Sequence, residues 1–155
     1  DGHDFHGFPR LEKLARATDE ELAMCSLGYR AEYVSETAKM IHENGFEFES
    51  LRKLDYEKAR KELLIFPGVG LKVADCVLLF SLGKLRAFPV DVWIRRVILK
   101  HYASHFPNKF IGKISGKKSL TGLEYKKLNL FGRRYFGKYA GYAQEYLYHH
   151  ERTRR

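Results

Sequence analysis

The sequence predicts an all-α fold. Apolar residues recur at helical spacing in short runs, each closed by glycine or proline, and two Thr-x-x-Glu capping boxes mark helix starts. No stretch alternates apolar and polar residues with the period of a strand, and there is no internal repeat or low-complexity tract. The 155 residues are 45% apolar, 14% aromatic and 30% charged, a globular composition that suits one domain over 1–155.

Taken in order, Leu11, Leu14 and Ala15 follow Pro9 with helical spacing. Thr18-Asp19-Glu20-Glu21 is the first capping box, and Gly28 is expected to close the helix it starts. Tyr33, Thr37, Ala38 and Ile41 form an apolar stripe that stops at Asn44-Gly45. Asp55 caps a helix through Ala59, Leu63 and Leu64 that ends before Pro67. After Pro67-Gly68-Val69-Gly70 the apolar run Leu71–Leu82 predicts a helix stopped by Gly83, so a helix–hairpin–helix is expected around 56–82. Asp91 precedes the helical pattern Val92–Tyr102. Thr121-Gly122-Leu123-Glu124 opens a helix toward Gly132, and Tyr139 to about Glu151 forms the last one. The stretch 104–120, with Gly112, Gly116 and several lysines, predicts a mobile loop.

Charge is distributed unevenly. Residues 1–108 carry 16 Lys/Arg and 16 Asp/Glu, whereas 109–155 carry 12 against 3, so the whole excess of +9 lies in the last third. It is interleaved there with Tyr125, Phe131, Tyr135, Phe136, Tyr139, Tyr142, Tyr146 and Tyr148. Such a segment suits a polyanion, most simply nucleic acid, and also suits a solvated basic surface. Two cysteines, Cys25 and Cys76, are too few for a disulfide framework, an iron–sulfur cluster or a zinc ribbon, and point to a reducing compartment. No run of 18 apolar residues is present, and residues 1–4 carry no basic-then-apolar leader, so no membrane role is expected.

Pro67-Gly68-Val69-Gly70 joins two helices through a turn with two residues lacking a β-carbon. Glycine serves where φ is positive or another backbone comes close, and the amides opening the next helix can receive a phosphate without reading sequence. Taken alone, an ordinary αα-hairpin is the commoner meaning of Gly-x-Gly. Lys72 stands in the first turn of that next helix, where the positive end of the helix dipole disfavours an ammonium. Burial would act in the same direction, toward the neutral amine. From Leu71 to Leu82 a helix rises roughly 18 Å at ~1.5 Å per residue. The return through 83–90 reaches up to about 26 Å when extended, long enough to bring Asp91 beside Lys72. On spacing alone, Asp91 acting only as a cap and Lys72 only as a phosphate contact stay open.

These stretches together resemble a known family. Ile65-Phe66-Pro67-Gly68-Val69-Gly70-Leu71-Lys72-Val73-Ala74-Asp75-Cys76, followed by Pro89-Val90-Asp91-Val92, looks like the helix–hairpin–helix DNA glycosylases of the HhH-GPD superfamily. Phe5-His6-Gly7-Phe8-Pro9, Leu27-Gly28-Tyr29-Arg30-Ala31-Glu32-Tyr33 and Tyr139-Ala140-Gly141-Tyr142-Ala143-Gln144 narrow the resemblance to the 8-oxoguanine DNA glycosylase/lyases, across nearly the whole chain.

The resemblance implies a helical bundle that excises 8-oxoguanine from duplex DNA and nicks the strand. Lys72 would attack C1′, displace the base and form a Schiff base, with Asp91 stabilising positive charge at the sugar. Cys76 and Tyr148 would contact the two faces of a flipped base and Gln144 its edge. Tyr29 and Arg30 would fill the gap and donate to the orphaned cytosine, and Gly68, Val69 and Gly70 would hold a phosphate. No cofactor is required, but main-chain carbonyls of Leu64, Phe66 and Val69 would take a monovalent or hard cation at the hairpin. Asp75, three residues from Lys72 and able to pair with it, is expected to be structural. Trp93 stands where many relatives carry histidine, and no catalytic role is assigned to it.

The resemblance also implies a monomer acting inside the cell on DNA with oxidised guanine, in the cytoplasm or nucleoid of a prokaryote or the nucleus of a eukaryote. Longer members carry a strand-rich N-terminal domain and an early helix, neither of which precedes Asp1. The chain is therefore expected to be a fragment that binds DNA weakly and is poorly active. A non-catalytic DNA-binding hairpin module and a glycosylase of the superfamily for another lesion are the competing readings.

Overall fold

Four side chains set helix starts by turning back onto an amide three residues ahead. Thr18 accepts from the Glu21 amide at 3.2 Å, Asp55 from Lys58 at 2.9 Å, Asp91 from Ile94 at 2.8 Å and Thr121 from Glu124 at 3.3 Å. Both capping boxes close reciprocally. The structure, a computed structural model, describes Gly2 and residues 4–153. Among the described residues it is all-helical, as the sequence predicts. Two compact units emerge, one formed by the described residues up to Glu49 with Ile65–Gly68, the other by Ser50–Leu64 and the chain from Val69 onward.

In the first unit, α1 (Leu11–Ala15) and α2 (Asp19–Met24) pack on α3 (Arg30–Asn44) around Ala15, Leu22 and Ala38. Phe46, Phe48 and Phe66 form an aromatic cluster, with Phe46 4.8 Å from each of the other two rings. One expectation is corrected here. The helix after Thr18 ends at Met24, short of Gly28, because Ser26 already takes a positive φ; Gly28, also at positive φ, instead leads into α3. The stretch 5–9 is exposed.

The second unit holds the larger core. After α4 (Phe48–Lys53), which straddles the boundary, come α5 (Tyr56–Leu63) and α6 (Leu71–Cys76). The ammonium of Lys84 donates to the carbonyls of Arg52 and Leu54, satisfying acceptors at the exit of α4. α6 runs on through a π-helical turn, Val77–Ser81, so the expected single helix 71–82 winds wider in its second half, and Gly83 stops it at φ +64°. Then follow α7 (Val92–His101), α8 (Asn108–Ser115), α9 (Gly122–Tyr135) and α10 (Ala140–Thr153), with α10 packed on α7. Phe88, Ile94, Ile98, Ile114 and Leu128 fill the centre. Gly132 faces Phe88 so closely that a β-carbon would lie 2.2 Å from the ring.

The expectation of a mobile loop over 104–120 is corrected by α8. Phe110, Ile111 and Ile114 are spaced for one helical face, and Ile114 and Phe106 are buried in the core, so the segment is anchored. The basic, aromatic third divides in a similar way. Tyr125 is core, Phe131 and Phe136 pack against it, and Tyr135, Tyr139, Tyr142 and Tyr146 are exposed. Among the described residues, no helix is long and apolar enough to cross a membrane.

Candidate active site

The site begins where α6 starts. Gly70 takes the extended N-cap position and no acidic side chain occupies the first turn, so Lys72 meets the positive end of the helix without a local counter-ion. The chain then travels along α6 and its π turn, reverses at Gly83 and returns through the buried segment 87–90 to Asp91. Lys72 and Asp91 line one cleft of about 230 Å³. The return that the chain length allowed is the one the fold makes.

Besides that pair, Arg95, Lys118, Ser119 and Tyr125 line the cleft. Cations outnumber the single carboxylate, so its field favours an anionic ligand. Asp91 uses Oδ1 to cap α7, which fixes its carboxyl at the helix entrance, and it is half-buried. Lys72 itself is exposed, which corrects the expectation that burial would help to neutralise it. Sequence reasoning missed Arg95 and Lys118. Arg95 lies one helical turn after Asp91, which is a usable signal, whereas Lys118 is one of several lysines near α8 and has none.

Asp75 and Cys76 follow Lys72 by three and four residues; Asp75 turns into the core, whereas Cys76 stays on the face of Lys72. Asp75 is wholly buried, accepts hydrogen bonds from Tyr56, Tyr125 and Asn129, and sits 3.8 Å from the Arg60 guanidinium. It does not pair with Lys72 on the helix surface, but its structural role is borne out by this network. Burial raises its carboxyl above the ordinary value, against the opposing hydrogen bonds of the two tyrosines and the charge of Arg60. Burial also pushes the Cys76 thiol up; the charge and hydrogen bonding of Lys72 oppose the rise, and the charges of Asp75 and Asp91 add to it. Cys76, Lys72 and Asp91 therefore share one electrostatic neighbourhood.

Gln144 and Tyr148 fall four residues apart on α10 and so on one face of that helix. Gln144 is 4% exposed, and its Oε1 is buried without a hydrogen-bond partner. A buried amide oxygen left unpaired is costly and calls for an explanation. Tyr148 packs against the core, and its hydroxyl accepts from Arg152 at 2.8 Å. Neither residue, nor Cys76, lines the cleft of Lys72 and Asp91. Trp93 is half-buried beneath the Arg96 guanidinium, 4.7 Å from the ring centre.

The first unit carries Gly68, Tyr29 and Arg30. Gly68 has φ +71°, and a β-carbon there would lie 2.4 Å from the Tyr33 ring of α3, so both backbone and packing demand glycine. The hydroxyl of Thr37, one turn along α3 from Tyr33, donates to the Pro67 carbonyl at 3.5 Å. Tyr29 stands at the N-cap of α3, 72% exposed, with the Arg30 guanidinium 4.7 Å from its ring centre. An exposed aromatic carrying a cation on its face costs solvation and contributes little to folding. Gly70, in the second unit with Val69, has an ordinary φ and open space where a β-carbon would stand, so neither φ nor packing within its unit explains it. Of the residues expected to hold a cation, Leu64 caps the C-terminus of α5, where carbonyls lack helical partners.

Comparison with known proteins gives these residues a family context. A family model described as HhH-GPD superfamily base excision DNA repair protein matches residues 3–109. The chain is 37% identical to a probable N-glycosylase/DNA lyase of Methanothermobacter thermautotrophicus, over 97% of this chain and 49% of that protein. It is 36% identical to the N-glycosylase/DNA lyase OGG1 of Arabidopsis thaliana, over 96% of this chain and 39% of that one. The Clostridium acetobutylicum 8-oxoguanine glycosylase/lyase, solved with double-stranded DNA containing cytosine opposite 8-oxoguanine, superposes with a TM-score of 0.78 at 34% identity, over 96% of this chain and 46% of that one. The chain thus spans half or less of the length of these relatives.

Proposed function

We propose that this chain, which belongs to the HhH-GPD superfamily of base excision DNA repair proteins, is an 8-oxoguanine DNA glycosylase with lyase activity. The observation that carries the reading is the shared cleft: an exposed lysine in a first helical turn without acids lines it together with a carboxylate brought back from nineteen residues away. In the proposed reaction the Lys72 lone pair attacks C1′ of the damaged nucleotide, and the bond from C1′ to the base breaks. The base leaves with that electron pair and gains a proton. Asp91 stabilises the positive charge that develops at the sugar. The amine nitrogen then gives up a proton, the ring C1′–O4′ bond opens with O4′ taking a proton, and C1′ and nitrogen are left joined as a protonated imine. Loss of a C2′ proton follows, and the C3′–O bond breaks with the 3′ phosphate leaving, which nicks the strand.

Cys76 and Tyr148 are assigned to the two faces of the flipped base and Gln144 to its edge, where the orphaned Oε1 would accept from a purine N–H. Tyr29 acts as a wedge and Arg30 as donor to the opposite cytosine. Gly68, Val69 and Gly70 receive a phosphate on backbone amides; the open space at Gly70 supports that reading. A monovalent or hard cation on the carbonyls of Leu64, Phe66 and Val69 would add positive charge beside the phosphate. Carbonyls at a helix C-terminus, which lack helical donors ahead of them, suit such an ion. The setting is intracellular, where DNA is, and the working unit a monomer.

Duplexes carrying 8-oxoguanine opposite cytosine, 3-methyladenine or thymine glycol test the assignment through base release and strand nicking. Release of 8-oxoguanine with β-elimination, ahead of the other two, is expected. Preferential release of another base would move the chain to a different lesion class, and duplex binding without any release would make it a binding module.

A further inference from the structure

We infer that Asp75, Tyr125 and Asn129 are positioning residues that clamp the segment bearing Asp91 to the helix bearing Lys72, an inference that rests on the glycosylase/lyase reading. The clamp is a chain of hydrogen bonds between two stretches of backbone. Asp75 sits three residues after Lys72 on α6 and is wholly buried. Its Oδ2 accepts from the Tyr125 hydroxyl at 2.5 Å and from the Asn129 amide at 2.9 Å. The same amide donates to the Phe88 carbonyl at 2.9 Å, and the Tyr125 hydroxyl accepts from the Val90 amide at 3.4 Å. Phe88 and Val90 lie in the segment that leads directly into Asp91. Both supporting residues project from α9, so the third helix ties the other two lines of chain together.

This arrangement exceeds what stability requires. A buried carboxylate is disfavoured by desolvation, and an apolar side chain of similar size would fill the same space. What an apolar residue cannot do is fix the spacing of two backbone segments by directed bonds. Tyr125 also lines the Lys72–Asp91 cleft, so the network ends at the reacting pair. Tyr56 supplies an internal contrast. Its hydroxyl donates to Asp75 Oδ1 and lies within hydrogen-bonding distance of Asn129 and Arg60, but it makes no hydrogen bond to the 87–91 segment.

The test uses the whole chain, an abasic-site duplex and borohydride, reading the single-turnover rate of covalent trapping beside duplex affinity and thermal stability. Tyr125→Phe, which keeps the ring in the core, should slow trapping by up to about a hundredfold, the cost of a small misplacement of reacting groups, at unchanged duplex affinity. Tyr56→Phe should lower the melting temperature and leave the trapping rate within about twofold, which sets the threshold for a real effect. In an Asp91→Asn background the effect of Tyr125→Phe should vanish, because the clamp acts through Asp91. Equal slowing by both tyrosine variants, or full additivity with Asp91→Asn, overturns the clamp. Absence of trapping by the unmodified chain would instead defeat the glycosylase/lyase reading itself.

Discussion

Lys72 and Asp75 stand one helical turn apart and live in opposite environments. Around Asp75 the three neighbouring donors meet one carboxylate, with Arg60 close by and Glu57 bridging Arg60 and Arg133 at 2.6 Å each. Around Lys72 the side chain is exposed, the first turn of its helix holds no acid, and Arg95 and Lys118 line one cleft with it and Asp91. One region resolves its charges and holds the fold, and the other leaves cations in excess and awaits a ligand. The difference teaches that burial of polar groups does not mark the working end of this helix; unresolved charge at a surface cleft does.

Substitutions that separate the two regions should also separate activity from stability. Asp91→Asn keeps an N-cap of equal quality, so the melting temperature should hold while base release falls by about 10²–10⁴-fold, the range for loss of a positioned acid–base group. A parallel fall in both would mean that Asp91 only caps. Asp75→Ala removes the buried acceptor shared by the Tyr56 and Tyr125 hydroxyls and the Asn129 amide, and the carboxylate beside Arg60, and should cost about 3–5 kcal/mol in a denaturant titration. Gly132→Ala drives a methyl into the Phe88 ring and should cost about 1–3 kcal/mol through overpacking, with no direct effect on Lys72.

The smallest effect concerns pH. Glu124 is held at about 2 against an ordinary 4.5, first by Lys117, then by the Thr121 amide, with Lys113 adding. A carboxyl with a depressed folded value contributes stability that is complete above its unfolded value and fades as pH falls through the folded one. Glu124→Gln should therefore lower the melting temperature at neutral pH, and the gap from the unmodified chain should close between about pH 4.5 and 2. A gap constant with pH would assign the contribution to packing.

The same contrast explains what was legible in the sequence. Helix starts were, because Thr18, Asp55, Asp91 and Thr121 act on amides three residues away. For Lys72 and Asp91, chain length showed only that the return could reach; the pairing itself came from the family resemblance. The burial of Asp75 was not legible, since its face is decided by Tyr125 and Asn129 some fifty residues on. The helix Asn108–Ser115 hid behind Gly112 and the lysines, although Phe110, Ile111 and Ile114 carried its spacing. The π turn after Cys76 left no mark, because Val77, Leu78, Leu79 and Phe80 form an unbroken apolar run with no period to tell one winding from another.

On the glycosylase/lyase reading, the Lys72 amine is the nucleophile. Incubating the chain with 8-oxoguanine duplex under borohydride, then digesting the adduct and locating the modified peptide by mass spectrometry, tests it most directly. The adduct is predicted on Lys72 alone and should be absent from Lys72→Gln; an adduct on another lysine, or one that persists in Lys72→Gln, would contradict the account.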